Sequence, residues 1–339
     1  MDFVKRVLNP VWQGVRYWAF RVFSYLSYRV PLRIGYWIGM LVGDFIYLTW
    51  KRHAANAVSN MRRVMGTEAS WQVVKEMARD SFRNYAKTLV DFLRFPHMSY
   101  EDIDKVVGAR EAIGHVDASR SGGKGLVVVT AHIGNWDLAG ALMGHMGLPV
   151  HAVADKFEPK RIDDLINGSR KKHGLNIISP ETGSLKQMFT ALKRNEIVLL
   201  MFDRPEEPEE GVQVEFFGET AYLPPGPAAI AIRTGAALVL GYALRDPGNK
   251  TFTGYFEGPI EYKHLLTGNK QSDIQRVTQE IVNRFEHVIR QHPEQWYMFR
   301  EMWPRTARHN AEIKKRRLYG RRSLRRRIGD GMPESESAA

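Results

Sequence analysis

The chain has 339 residues, of which 44% are hydrophobic and 25% are charged; its formal net charge is +12 and it has no cysteine. This length and apolar content are enough to bury the core of one large α/β domain or two modest ones, which excludes a disordered chain. The lack of cysteine excludes disulfide bonds and cysteine-ligated metals.

The positive charge is concentrated at the two ends. Residues 1–70 carry +7 and residues 305–327 carry +10, whereas residues 71–304 are nearly neutral. Basic ends suit nucleic acid or an anionic membrane surface. Large aromatic side chains interleave with the N-terminal basic residues: Phe3, Trp12, Tyr17, Trp18, Phe20, Phe23, Tyr25 and Tyr28. Because aromatic rings favour the membrane interface, a membrane surface is the predicted partner, and nucleic acid is not.

Residues 1–66 are predicted to form helices, with a break at Asn9-Pro10. Arginines inside the apolar run and the lack of a small-residue cleavage site argue against a signal peptide. The run Pro31–Trp50 has the length of a membrane-spanning helix, but one Arg, one Asp and four glycines or prolines interrupt it. We therefore expect it to lie in the interface or to pack on the domain and dip into lipid.

A second helical stretch is predicted at 70–95, and beyond residue 106 short apolar runs alternate with amphipathic segments. We predict strands at 125–130, 150–154, 175–178, 197–202, 237–244 and 251–256, and helices near 135–146, 160–173, 183–194, 226–234 and 272–291. This alternation indicates an α/β fold with a mainly parallel central sheet flanked by helices, after an N-terminal helical membrane-associating segment. The predicted regions are the membrane-associating helices at 1–66, the α/β domain at 67–304 and a basic, disordered tail at 305–339.

The segment Ala131-His132-Ile133-Gly134-Asn135-Trp136-Asp137 follows the first buried strand. His132 is predicted at the carboxyl end of this strand, where open α/β sheets bind their ligands. A neutral imidazole can accept a hydroxyl proton, and a carboxylate five residues later can hold the ring. A structural His–Asp pair without catalysis is the alternative. A metal site is not predicted, because the segment offers a single histidine.

This segment resembles the His-x-x-x-x-Asp motif of the glycerolipid acyltransferase superfamily, in particular the branch of bacterial lipid A lauroyl/myristoyl acyltransferases and phosphatidylinositol mannoside acyltransferases. Later segments are similar to the same branch, and the resemblance extends to about residue 304. These segments are Phe202-Asp203-Arg204, Val212-x-Val214-Glu215-Phe216-Phe217-Gly218, Gly226-Pro227-Ala228-Ala229-Ile230-Ala231-Ile232-Arg233-Thr234-Gly235-Ala236 and His292-Pro293-Glu294-Gln295-Trp296.

The resemblance implies a membrane-associated O-acyltransferase. An acceptor hydroxyl attacks the thioester of acyl-CoA or an acyl carrier protein, His132 takes the proton and Asp137 orients His132. No acyl-enzyme and no cofactor besides the acyl donor are implied. The implied location is the cytoplasmic face of the bacterial inner membrane, held peripherally or monotopically.

Several residues are candidates for substrate binding. Arg170 and Lys172 match a basic cluster of the branch, and Asp155 matches an acidic position of its mannoside members. A basic cluster could bind the phosphates of the donor; the alternative is a solvated helix face. Asn135 and Trp136 lie inside the motif and are expected to contact substrate.

Three further candidates follow the strand at 197–202. Asp203 and Arg204 lie at its carboxyl end and could bind acceptor hydroxyls, or form an internal ion pair instead. Glu206 begins an acidic loop that is solvated or faces the site. Gly226 could begin a helix whose backbone amides face an anion.

The residue at position 137 bears on the identity of the acceptor. Lipid A enzymes usually have Glu at the position of Asp137, so the Asp favours a mannoside-like glycolipid over lipid A or a lysophospholipid. A non-enzymatic membrane-binding adaptor is the rival of another class. The adaptor interpretation leaves His132 and its motif unexplained.

Overall fold

The computed structural model describes residues 2–108, 113–248 and 251–303, with side chains from residue 12 onward and without those of 113–115. The helices are α1 (Asp2–Arg29), α2 (Leu32–Thr49), α3 (Lys51–Met65), α4 (Trp71–Arg94), α5 (Tyr100–Val106), α6 (Ile113–Arg120), α7 (Trp136–His145), α8 (Lys160–Lys172), α9 (Ser184–Lys193), α10 (Gly226–Thr234) and α11 (Lys270–Gln291). The strands are β1 (Val107–Gly108), β2 (Leu126–Thr130), β3 (Val150–Val153), β4 (Leu175–Ile178), β5 (Ile197–Met201), β6 (Val212–Phe216), β7 (Glu219–Leu223), β8 (Ala237–Arg245) and β9 (Phe252–Glu257).

Seven strands form one sheet in the order β1-β9-β8-β2-β5-β3-β4. All neighbours are parallel except β8 and β9, which are antiparallel. Strand β2 is buried at every residue, as its unbroken run of β-branched and aliphatic residues predicts for a central parallel strand. The predicted α/β fold with a mainly parallel sheet flanked by helices is therefore confirmed.

The register of β2 and β5 determines what meets at the carboxyl edge of the sheet. Thr130 at the end of β2 is paired with Met201 at the end of β5. His132 and Asp203 each lie two residues beyond this pair. Because parallel strands end at the same edge of a sheet, the register brings these two residues side by side.

Helices α5 and α6 and the hairpin formed by β6 and β7 were not predicted from the sequence. The hairpin turns at Phe217 and Gly218, which both have positive φ, at 52° and 74°. A two-residue hairpin turn needs this backbone geometry, and it usually takes Asn-Gly or Asp-Gly rather than Phe-Gly. The predicted break at Asn9-Pro10 was wrong, since α1 continues through it. A helix tolerates an internal proline at the expense of one backbone hydrogen bond.

The N-terminal helices α1, α2 and α3 pack on α4. Within the described ranges, no helix combines the length and the apolar character needed to cross a bilayer. The described residues as far as Met302 belong to one compact unit. The basic tail predicted at 305–339 lies outside the described residues.

Candidate active site

The turn between β2 and α7 depends on Gly134. Its φ is +60°, and a Cβ atom built there would lie 1.7 Å from the carbonyl oxygen of Ala243 in β8. The next residue, Asn135, donates its backbone N–H to the same carbonyl at 3.0 Å. A side chain at position 134 would therefore push the turn away from the sheet, so the turn requires glycine at this position.

The other wall of the turn is the segment that follows α11. The backbone N–H of Gly134 donates to the carbonyl of Gln295 at 3.0 Å, and the N–H of Tyr297 donates to the carbonyl of His132 at 2.8 Å. These bonds hold the catalytic candidate His132 between strand β8 and the C-terminal segment. The motif at 292–296 thus has a structural explanation, because it packs directly against the motif at 131–137.

The His132 side chain is bound by Asp203. Its Nδ1 lies 2.8 Å from Asp203 Oδ1, and its backbone N–H donates to Asp203 Oδ2 at 2.9 Å. The indole N–H of Trp296 donates to the same Oδ2 at 3.0 Å. The Asp203 side chain is fully buried, whereas that of His132 is 33% exposed. The carboxylate is therefore closed off behind the ring, and the imidazole faces outward.

The charge state of this pair follows from the contacts. Burial by itself lowers the pKa of His132, but the charge of Asp203 and the hydrogen bond to it outweigh burial and raise the pKa above its usual value. Burial raises the pKa of Asp203, but His132 and the surrounding donors outweigh it and the pKa falls below its usual value. An ionised Asp203 requires the proton of the neutral ring to lie on Nδ1, which leaves the Nε2 lone pair free.

One predicted role has to be corrected. Asp137, expected to orient His132, is instead paired with Arg170, whose Nε donates to Asp137 Oδ1 at 2.9 Å. For Asp203 the sequence left open a contact with acceptor hydroxyls or an internal ion pair, and the structure shows it buried and paired with His132. Position in the fold explains both contacts: Asp137 lies in the first turn of α7 and is bonded to α8, while Asp203 follows β5, the strand adjacent to β2.

A cavity of about 330 Å³ opens beside His132. Its polar wall is formed by predicted site residues: His132, Trp136, Asp137, Asp155, Arg170, Arg204 and Glu206. Its apolar wall contains Ala152, Leu175, Leu199 and Leu200. At its rim Arg204 donates to Asp155 at 3.0 Å, and both side chains are largely exposed. The cavity therefore combines a proton acceptor, paired charges and an apolar surface.

Three other predicted site residues are engaged away from the cavity. Asn135 is buried, where its side chain accepts the Leu138 N–H as the cap of α7 and donates to Asp91. Lys172 donates to the backbone carbonyl of Met98. Gly226 begins α10, as expected, but does not line the cavity described above. Asn135 and Lys172 are thus already used in capping and helix packing, and substrate contact by the three residues stays a prediction.

The role of Asp203 and Trp296 as partners of His132 was missed by the sequence analysis. The signal for Asp203 was present, since β2 and β5 are each followed by one apolar residue and then by a polar side chain, His132 or Asp203. To pair Asp203 with His132 from this signal, one needs the strand order, because only adjacent strands place such residues in contact. For Trp296 no local pattern indicates a partner almost 100 residues away.

Comparison with known proteins identifies relatives over most of the chain. Residues 1–305 match the family described as bacterial lipid A biosynthesis acyltransferase. The chain is 30% identical over 248 residues to a phosphatidylinositol mannoside acyltransferase of Mycolicibacterium smegmatis, covering 72% of this chain and 77% of that protein. It is 29% identical over 252 residues to the protein of the same name from Mycobacterium tuberculosis, covering 72% and 75%.

These matches confirm the resemblance found in the sequence. They also favour an enzyme over the adaptor, because both the family and the relatives carry acyltransferase names. The chain belongs to the bacterial lipid A biosynthesis acyltransferase family and is an O-acyltransferase.

Proposed function

We propose that the protein transfers a fatty acyl group from acyl-CoA or an acyl carrier protein to a hydroxyl of a glycolipid such as a phosphatidylinositol mannoside. The observation that carries this proposal is the His132–Asp203 pair at the wall of a cavity that is partly apolar. The names of the relatives support the glycolipid acceptor. Lipid A and lysophospholipids are the alternative acceptors.

His132 acts as the general base. The acceptor oxygen attacks the thioester carbonyl carbon as Nε2 of His132 takes the hydroxyl proton, and Asp203 stabilises the imidazolium. When the tetrahedral intermediate collapses, the carbon–sulfur bond breaks and the thiolate takes the proton from the imidazolium. The products are the ester and the free thiol, the base returns to its neutral form, and no cofactor besides the acyl donor is required.

The apolar and polar walls of the cavity suit different parts of the substrates. The leucine-lined wall suits the acyl chain, because burial of each methylene group in an apolar environment stabilises binding by about 0.8 kcal/mol. We assign Arg204, which is 44% exposed, to binding the phosphates of the donor. Arg170 is 8% exposed and paired with Asp137, so we assign it to shaping the polar wall. Trp136, which packs edge-on against His132, contacts the substrate near the reacting atoms.

The N-terminal helices attach the enzyme to the membrane surface. Large apolar side chains on α1 and α2 are at least 44% exposed: Trp12, Val15, Trp18, Val22, Phe23, Tyr25, Leu26, Ile34, Trp37, Ile38, Leu41, Val42, Phe45 and Leu48. Exposed basic residues lie on and beside these helices at Arg21, Arg29, Arg33, Lys51 and Arg52. Insertion of such a face into the lipid interface, with basic residues at anionic headgroups, supports a peripheral or monotopic location on the cytoplasmic face of the bacterial inner membrane.

The catalytic proposal is tested by measuring acyl transfer from labelled palmitoyl-CoA and palmitoyl acyl carrier protein to three acceptors: a phosphatidylinositol mannoside, a lipid A precursor and a lysophospholipid. His132→Ala should lower kcat by about 10²- to 10⁴-fold. The matched control His264→Ala, at an exposed histidine, should retain the rate of the wild type. Full turnover by His132→Ala would reject the base, and transfer to the lipid A precursor alone would reject the mannoside acceptor.

Membrane attachment is tested by pelleting with anionic vesicles. The triple variant Trp37→Ser, Leu41→Ser, Phe45→Ser removes one apolar stripe of α2 and should pellet far less than the wild type. Leu185→Ser changes an exposed leucine on α9, 55% exposed, and serves as the control that keeps binding. Equal pelleting of the triple variant and the wild type would contradict attachment through α2.

A further inference from the structure

The last described segment of the chain contributes a side chain to the His132–Asp203 pair. After α11, residues Pro293–Gln295 form a single 3-10 turn, and Trp296 then forms an antiparallel bridge with Ile133. The backbone bonds of Gln295 and Tyr297 to the catalytic turn hold this segment on both sides of Trp296. The position of the indole is therefore fixed relative to His132.

The Trp296 side chain is fully buried, and its one polar atom is used. The indole N–H donates to Asp203 Oδ2 at 3.0 Å, and Phe216 and Phe217 of the β6–β7 hairpin pack against the ring. Asp203 Oδ2 also accepts the backbone N–H of His132, while Oδ1 is left for the imidazole. The two donors on Oδ2 thus determine which way the carboxylate is turned.

We propose that Trp296 is a positioning residue for acyl transfer, whose indole N–H holds Asp203 Oδ2 so that Oδ1 stays on the His132 ring. This inference rests on the proposed role of His132 as the base. A carboxylate held by one donor fewer can rotate, and the ring that it orients then loses its alignment with the acceptor hydroxyl. The nitrogen of Trp296 acts through Asp203 and does not contact the cavity residues named above.

The substitution Trp296→Phe keeps an aromatic ring and removes the N–H. We expect kcat to fall about tenfold, equivalent to about 1.4 kcal/mol, and the KM of the acyl donor to stay unchanged. Without the indole donor the carboxylate turns and its bond to the ring weakens. Because that bond raises the pKa of His132, the pKa should fall and the acidic limb of the kcat/KM profile should move to lower pH. Arg204 and Arg300, the other charged groups that act on His132, stay in place in this variant.

A matched control separates positioning from a general loss of stability. Tyr262→Phe removes another buried donor, a hydroxyl that bonds the carbonyls of Ala231 and Ala236. It should leave the titration of His132 and kcat as in the wild type. An equal shift of the His132 pKa in Trp296→Phe and Tyr262→Phe would overturn the proposal.

The decisive experiment is a double-mutant cycle in the full-length protein. In the Asp203→Asn background Trp296→Phe should have little further effect on kcat, because the indole acts through that carboxylate. A full tenfold loss in that background would overturn the proposal. The titration of the His132 ring, followed by NMR, needs no turnover; an unchanged pKa in Trp296→Phe overturns the positioning role even if His132 proves not to be the base.

Discussion

Asp203 and Asp137, two carboxylates beside the turn at 131–137, differ in their surroundings. Asp203 lies behind His132, fully buried, with three donors that all belong to the His132 turn or to the C-terminal segment. Asp137 lies on the cavity wall, 12% exposed, and is bound by Arg170 of another helix. Only the first is bonded to the imidazole. The sequence motif therefore indicates the region of the proposed chemistry, while the strand register decides which carboxylate is bonded to His132, the proposed base.

We expect the two carboxylates to differ most in kcat, with the large loss on substitution of Asp203. Asp203→Asn keeps the size of the side chain but removes the charge that stabilises the imidazolium, so kcat should fall by about 10²- to 10⁴-fold. Steady-state kinetics with saturating acyl donor measures this loss. The control is Asp164→Asn, an exposed residue paired with Lys160, which should retain activity. If kcat of Asp203→Asn falls by less than about tenfold, the proposed difference between the two carboxylates is wrong.

For substitutions of Asp137 we expect the main effect to be a lower free energy of unfolding. Removal of one member of a buried ion pair leaves the other charge unpaired, which costs about 3–5 kcal/mol of the free energy of unfolding. Asp137→Ala and Arg170→Ala should each destabilise the protein, and the double variant should be more stable than the sum of the two losses predicts. Denaturant unfolding of the four proteins measures the coupling. Strict additivity would contradict a direct pair.

The smallest effects are expected at the exposed rim. Arg204→Gln should raise the KM of the acyl donor several-fold, with kcat little changed, because it removes a charge that binds phosphate before the chemical step. Asp155→Asn should change stability by less than about 1 kcal/mol, since exposed ion pairs contribute little. Increasing salt should reduce the difference between Arg204→Gln and the wild type. A kcat effect of Arg204→Gln larger than that of Asp203→Asn would reverse the ranking.

Much of the fold could be predicted because its signals are local. Buried strands such as β2 are runs of aliphatic and β-branched residues, and α4 begins directly after Ser70, whose side chain accepts the Val73 N–H as a cap. The hairpin of β6 and β7 was not predicted because Phe217 adopts a positive φ, which its residue type does not indicate. Tertiary contacts with α11, such as Gln279 to Glu215, support that hairpin and are not visible in a local pattern.

The candidate site could be predicted only in part. His132 and Gly134 follow from a strand end and a tight turn, both local features. The partner of His132 could not be assigned from the sequence. The choice between Asp137, five residues away, and Asp203, 71 residues away, depends on which strand lies beside β2. Trp296 is still more remote, and only the folded chain brings it to Asp203.

The central claim, that Asp203 is the partner of the base, is tested most directly by the pH dependence of kcat/KM. The base must be neutral, so activity rises with pH through the pKa of His132, which the Asp203 charge raises. Without that charge the pKa of His132 falls, so the acidic limb of Asp203→Asn should move to lower pH. The limb of Asp137→Asn should stay at its wild-type position. A shift in Asp137→Asn together with an unmoved limb in Asp203→Asn would contradict the account.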